Sequence, residues 1–171
     1  MIPNSTLPLK LWYAGSIGSL GAFPFIAVIL TDNGWEPTGI AALMALFPMC
    51  SMVTAPMWSI VADVSGKGNA ILRFATLLQL LGFTALYLFI DTPAAVVTAI
   101  LLLAAGRAPM SPLSDAMTLA VLGPDANNYG AIRTWGSVAF LVVALLSGYI
   151  RNDYSNAPLL FGIGLTILTV C

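Results

Sequence analysis

The chain has 171 residues, 59% of them apolar and only 8% charged, with a formal net charge of −1 and no histidine. An ordinary soluble domain carries about 25% charged residues, so a soluble surface is excluded, as is the basic face that nucleic acid requires. Without histidine the commonest general base and metal ligand are gone; no metal, no cofactor and no catalytic residue is expected, and an intramembrane enzyme lacks its nucleophile–base pair.

A membrane helix needs about 20 mainly apolar residues, and the chain reads as an all-α membrane protein with six such runs in a single domain, residues 1–171. The first, Leu11–Leu30, is too long and too well followed to be a cleaved signal peptide. It carries Gly15, Gly18, Ser19 and Gly21, which allow close helix contact, and Pro24, which predicts a kink. The second runs from Thr38 to Ala62 and the third from Ala70 to Ile90, separated by a Ser65-Gly66-Lys67-Gly68 turn. The fourth is Ala94–Leu122 and the fifth Tyr129–Ile150, with a turn signal at Gly123–Asn128. The sixth, Ala157–Cys171, is short for a span and predicts a truncated helix. Gln79, Thr76 and Thr84 in the third run are expected to make interhelical hydrogen bonds. Cys50 and Cys171 both lie in apolar runs and are expected to be free thiols.

Lysine and arginine in short loops set orientation. With a cytoplasmic N-terminus, Lys10, Lys67, Arg73 and Arg133 fall inside and only Arg151 outside, so that orientation is favoured. Trp12, Tyr13, Trp35, Tyr149 and Tyr154 lie near span ends, as an aromatic belt would.

Three charges break the pattern: Arg107 and Asp115 inside the fourth run and Arg133 near the start of the fifth. A charge at mid-helix costs roughly 2.5–3.5 kcal/mol on insertion scales and commonly faces a protein interior or a watery cavity. Asp115 lies nine residues before Pro124 and Arg133 nine after it. In an antiparallel hairpin both then sit at one depth, roughly 13 Å from the turn, and can pair. Two readings stand: a pair that exchanges partners with a substrate, or a static pin between two helices. Arg107 lies two turns from Asp115, about 12 Å away, too far for direct contact, with Ser111 between them on the same face. Pro109 and Pro112 flank this stretch and free backbone carbonyls. Either Arg107 lines a cavity wall with Asp115, or it bonds those carbonyls.

Several segments resemble one branch of the major facilitator superfamily, which holds the phenylpropionate transporter and the sugar–proton and nucleoside–proton symporters. The segments are Tyr129-Gly130-Ala131-Ile132-Arg133-Thr134-Trp135-Gly136-Ser137-Val138-Ala139-Phe140, Gly21-Ala22-Phe23-Pro24-Phe25 and Pro112-Leu113-Ser114-Asp115-Ala116. The stretch Trp58–Lys67 is similar to the superfamily's loop motif: Asp63, Gly66 and Lys67 match it, while Ser59, Val64 and Gly68 depart from it. The resemblance implies one six-helix half of a twelve-helix fold, with the C-terminal half as missing partner. It also implies a small-molecule substrate, proton coupling and a bacterial inner membrane as lipid environment. By the same resemblance Asp115 and Arg133 touch substrate, Phe140 sits where an aromatic stacks, and Asp63, Gly66 and Lys67 form a conformational-switch loop. Arg107 matches no signature and is a candidate from the charge argument alone. The competing reading is a non-transporting scaffold, a half-transporter that kept the fold and assembles with a partner.

Overall fold

In the computed structural model, described over residues 6–170, every regular element among the described residues is helical. Helix α1 (Leu7–Gly18) passes through a 3-10 turn at Ser19–Ala22 into α2 (Pro24–Asp32). Then come α3 (Pro37–Ser65), α4 (Gly68–Leu88), α5 (Pro93–Arg107) and α6 (Met110–Leu122). A 3-10 segment, Gly123–Asn128, leads into α7 (Tyr129–Ile150), and α8 (Ala157–Val170) follows. Cys171 lies outside the described residues; Cys50 is a free thiol.

Proline sets several of these boundaries. Pro24, Pro37 and Pro93 open α2, α3 and α5, where their missing N–H costs no helical bond. Gly66, at φ 63°, closes α3 in the left-handed conformation and returns its N–H to the Ala62 carbonyl at 2.9 Å. Pro109 breaks the expected fourth span into α5 and α6, because it cannot donate to the carbonyl of Ala105. The indole of Trp58 on α3 donates to that carbonyl at 2.9 Å instead. The acceptor freed at Ala105 is thus taken by a tryptophan, while Arg107 donates to the Ser16 carbonyl.

Four stretches are long and apolar enough to cross a membrane: Leu7–Asp32, Pro37–Ser65, Gly68–Leu88 and Pro93–Ile150. Ala157–Thr169 is apolar but shorter. The fourth stretch, 58 residues, would reach about 87 Å if straight, nearly three times a hydrocarbon core. It folds back at Gly123–Asn128, so that α6 and α7 meet.

Packing runs through small residues. Helix α1 and the 3-10 turn after it lie along α7, where Gly21 of the turn faces the Phe140 carbonyl and Val143, and Gly136 faces Ile17 and the Tyr13 carbonyl. Helix α4 lies along α5, where a Cβ on Gly106 would fall 2.5 Å from the Ala75 carbonyl oxygen. Without water to drive apolar helices together, such close approach supplies much of the association. Gln79 bridges the same helices, its amide donating to the Gly106 carbonyl at 3.5 Å. Thr76 departs from expectation and bonds the Leu72 carbonyl of its own helix.

The apolar core joins Ile26, Ile29 and Leu30 of α2, Phe83 and Leu86 of α4, and Ile100 and Leu103 of α5. It fills one end of the helix cluster; the polar contacts described below fill the other. Helix α3 is the outlier: Met52 is 81% exposed and Val64 85%. An apolar face of that kind belongs against lipid or another protein surface.

Replacing Gly106 by valine is expected to destabilise the protein by about 1–3 kcal/mol, the ordinary cost of overpacking. Gly130→Ala, where nothing lies within 4 Å of an added Cβ, is expected to leave stability unchanged or raised. Thermal unfolding of the two variants in detergent decides whether the α4–α5 approach is as tight as described.

Candidate functional site

The site grows out of a polar seam between α1 and α6. Both helices are apolar for most of their length, so the few polar side chains find one another rather than lipid. The Trp12 indole donates to the Ser114 hydroxyl at 2.9 Å. The Tyr13 hydroxyl donates to Asp115 Oδ1 at 2.8 Å and lies 3.3 Å from Thr118 Oγ1. One turn further along α1, the Ser16 carbonyl accepts from Arg107 Nη1 at 3.1 Å and from the Ser19 hydroxyl at 3.0 Å. Arg107 Nη2 reaches the Ser111 hydroxyl at 3.4 Å.

The depth argument from the turn brings Asp115 and Arg133 together. Arg133 Nε lies 3.6 Å from Asp115 Oδ1, with the side chains 47% and 27% exposed. At that distance the two are in ionic contact but beyond a good N–H···O bond, and Arg133 donates no hydrogen bond among the described residues. The shorter bond, to the same oxygen, comes from the buried Tyr13. The acid is therefore fixed by α1, and the arginine leans on it from the open side.

Arg107 does not reach Asp115; Ser111 lies between them, as the helical spacing requires. Phe140 sits two turns beyond Arg133 on α7, is 37% exposed, and makes no ring contact among the described residues. No ring contact or hydrogen bond among the described residues joins it to the charged cluster. Asp63 and Lys67 are exposed, and neither has an ion-pair partner among the described residues. Gly66 between them fixes the turn.

Three residues of the seam escape sequence reading. Tyr13, placed in an aromatic belt by its position, is only 1% exposed and serves Asp115 instead. Trp12 faces inward as well, and Ser16 acts through its backbone. Only the small residues Gly15, Gly18 and Ser19 that follow the aromatic pair hinted that this part of α1 was protein-facing. Trp35 likewise turns inward, donating to the Ile90 carbonyl at 3.3 Å, whereas Tyr149 and Tyr154 stay 79% and 71% exposed.

Beside the seam, a cavity of about 360 Å³ opens where α1 and α4 begin and α6 and α8 end. Leu9, Trp12, Asn69, Arg73, Ser114 and Thr118 line it. Asp115 and Arg133 do not; they belong to the open face of the cluster.

The profile of the MFS_1 like family matches residues 8–171. The chain is 30% identical to a maltose permease of Geobacillus stearothermophilus over 148 residues, covering 86% of this chain and 37% of that protein. It is 34% identical to a probable 3-phenylpropionic acid transporter of Escherichia coli (strain K12) over 158 residues, 86% of this chain and 39% of the relative. It is 24% identical to an uncharacterized transporter of Bacillus subtilis (strain 168) over 156 residues, 90% of this chain and 39% of that one. The chain thus spans between 37% and 39% of the length of these relatives. No solved structure matches it significantly.

Tyr13→Phe is expected to lower stability by about 1.5–3 kcal/mol, the range for a hydrogen bond to a charged group. Thermal unfolding measured beside Tyr149→Phe, an exposed control, checks it: equal effects would mean that the Tyr13–Asp115 bond carries no weight.

Proposed function

The chain belongs to the MFS_1 like family, an integral membrane transporter family and not one of enzymes, and from that premise we propose that it forms the N-terminal, six-span half of a secondary transporter. The 58-residue stretch counts as two passes, α5–α6 and α7, and the helix from Ala157 as the sixth. A C-terminal half of the same kind completes the protein. A small organic solute then crosses by alternating access between the halves, with proton coupling as in the symporters the sequence resembles. The membrane is the bacterial inner one and the N-terminus is cytoplasmic. In support, α1 and α4 start at the cavity where α6 and α8 end, so Lys10, Lys67 and Arg73 gather at one end.

One observation carries the reading: the Asp115–Arg133 pair, fixed by Tyr13 on its inner side and exposed on its outer side. A pin between two helices is best when short and enclosed. This pair is long and open, as suits groups that trade partners. Asp115, Arg133 and Arg107 line the route, with Phe140 offering an apolar ring further along α7. Asp63, Gly66 and Lys67 act at the contact between halves, and Asp63 and Lys67 have no ion-pair partner among the described residues.

Uptake by membrane vesicles carrying the complete gene product tests this. Asp115→Asn and Arg133→Ala are each expected to cut uptake at least about tenfold while the protein still reaches the membrane. The swapped pair Asp115→Arg with Arg133→Asp separates the alternatives. If the swap restores both stability and uptake, the pair is a structural pin; restored stability without uptake supports substrate contact. Full uptake in both single variants would overturn the assignment.

A further inference from the structure

Helix α3 is held differently along its two parts. The first part is seated in the core by Ile40 and Leu43, and the ring centroids of Phe47 and Phe23 lie 4.3 Å apart. Ser51 then donates to the Ala104 carbonyl of α5 at 3.3 Å. Pro48 and Pro56 lie inside the helix. Each withholds an N–H from the carbonyl four residues back, so α3 bends most readily around them. Beyond Pro56 the attachment thins. Met57, Ile60 and Val64 are exposed. Among the described residues, the stretch 57–65 makes one hydrogen bond to another helix, from the Trp58 indole to the Ala105 carbonyl at 2.9 Å. Trp58 stands five residues before Asp63, about 7.5 Å along the axis, so this hook sits just ahead of the Asp63–Lys67 turn.

The acceptor of that hook has its own place in the charged region. Ala105 lies two residues before Arg107, in the last turn of α5, and its oxygen is the one that Pro109 leaves without a helical donor. Arg107 in turn donates to the Ser16 carbonyl of α1 at 3.1 Å. A line of contacts therefore runs from the end of α3 through Trp58, the last turn of α5 and Arg107 to α1. We propose that Trp58 is a positioning residue: its indole passes a swing of the α3 end to the α5–α6 break and so sets where Arg107 points. This rests on the transporter reading above, in which the Asp63–Lys67 turn moves between states. The strength of the bond suits the task. One neutral hydrogen bond between membrane helices shifts an equilibrium about three- to tenfold, enough to bias two positions of α3 and too little to lock one. The indole ring also leans on Phe74 of α4, with centroids 6.0 Å apart, so the N–H can be removed while the packing stays.

The test follows the α3 end directly, in vesicles carrying the complete gene product with its native cysteines replaced by serine. Ala62 lies one turn beyond Trp58 on the same face and is half-buried, so Ala62→Cys, labelled with a membrane-permeant maleimide, reports when this end lifts. Trp58→Phe keeps the ring and loses the donor, and is expected to speed labelling about three- to tenfold. Pro109→Ala attacks the same bond from its other side, because the restored N–H claims the Ala105 carbonyl. It is expected to speed labelling likewise, and Trp58→Phe added to it is expected to do nothing more. It also keeps the test alive if Trp58→Phe does not fold. Arg107→Gln is expected to speed labelling too, although no hydrogen bond or ion pair joins Arg107 to α3 among the described residues. Tyr149→Phe is the silent control. A lowered unfolding temperature with unchanged labelling would make Trp58 a packing residue and overturn the proposal. So would labelling that ignores Arg107→Gln, or a full Trp58→Phe effect in the Pro109→Ala background. Uptake of labelled sugars, nucleosides and aryl carboxylates is scored separately on the unmodified protein. Linkage without any uptake leaves the hook standing and fells the transporter reading; uptake without linkage does the reverse.

Discussion

The Tyr13–Asp115 hydrogen bond organises the rest of the charged region. In an apolar medium a carboxylate is tolerated only where donors are already in place. Tyr13 supplies one from a helix more than a hundred residues away in sequence, and with the Trp12–Ser114 bond beside it that contact ties α1 to α6. Once Asp115 is held, Arg133 gains a partner at its own depth, and α7 is drawn to the same face. Close approach of α1 to α7 at Gly21 and Gly136 then keeps the three helices in register. The pair gives up the short geometry of a buried bridge and gains exposure on its free side.

How much of this was legible in the sequence depends on range. The Asp115–Arg133 pairing could be read because both lie equally far from one turn, so helical rise alone fixes their relation. The spacing of four between Arg107 and Ser111 was legible for the same reason. Span positions came from hydropathy, and the breaks inside them only from the prolines, Pro24 and Pro109, that lie beside them. The first run splits at a 3-10 turn and the fourth at Pro109, where hydropathy is blind to backbone geometry. Tyr13 was misread as a belt residue because position near a span end is a local cue. What decides its role is which helix stands opposite. Thr76 shows the converse: a hydroxyl in a helix can satisfy itself on its own turn, and nothing in the sequence separates that from a bond across helices.

The family assignment and the geometry constrain one another without repeating one another. Relatives named for a sugar and for 3-phenylpropionic acid are both similar to this chain, so membership leaves the cargo open. Asp115 and Arg133 lie in segments that resemble the family, whereas Arg107 matches none of them. Likewise the open apolar faces of α3 and α7 make little sense for an isolated bundle in water and good sense for one set in lipid.

The Ser16 contact has a genetic consequence. Its working atom is a backbone oxygen, which every amino acid at that position supplies. Replacing Ser16 by alanine removes a hydroxyl but not the acceptor that holds Arg107. With Ser16 only 5% exposed, a bulky side chain fails there for want of space. A saturation scan would therefore record position 16 as a size filter and would miss its part in the site. Selection would act on the path of the chain through the Ser19–Ala22 turn, where the carbonyl is aimed, and its trace would fall on neighbouring small residues instead of on the position that makes the bond.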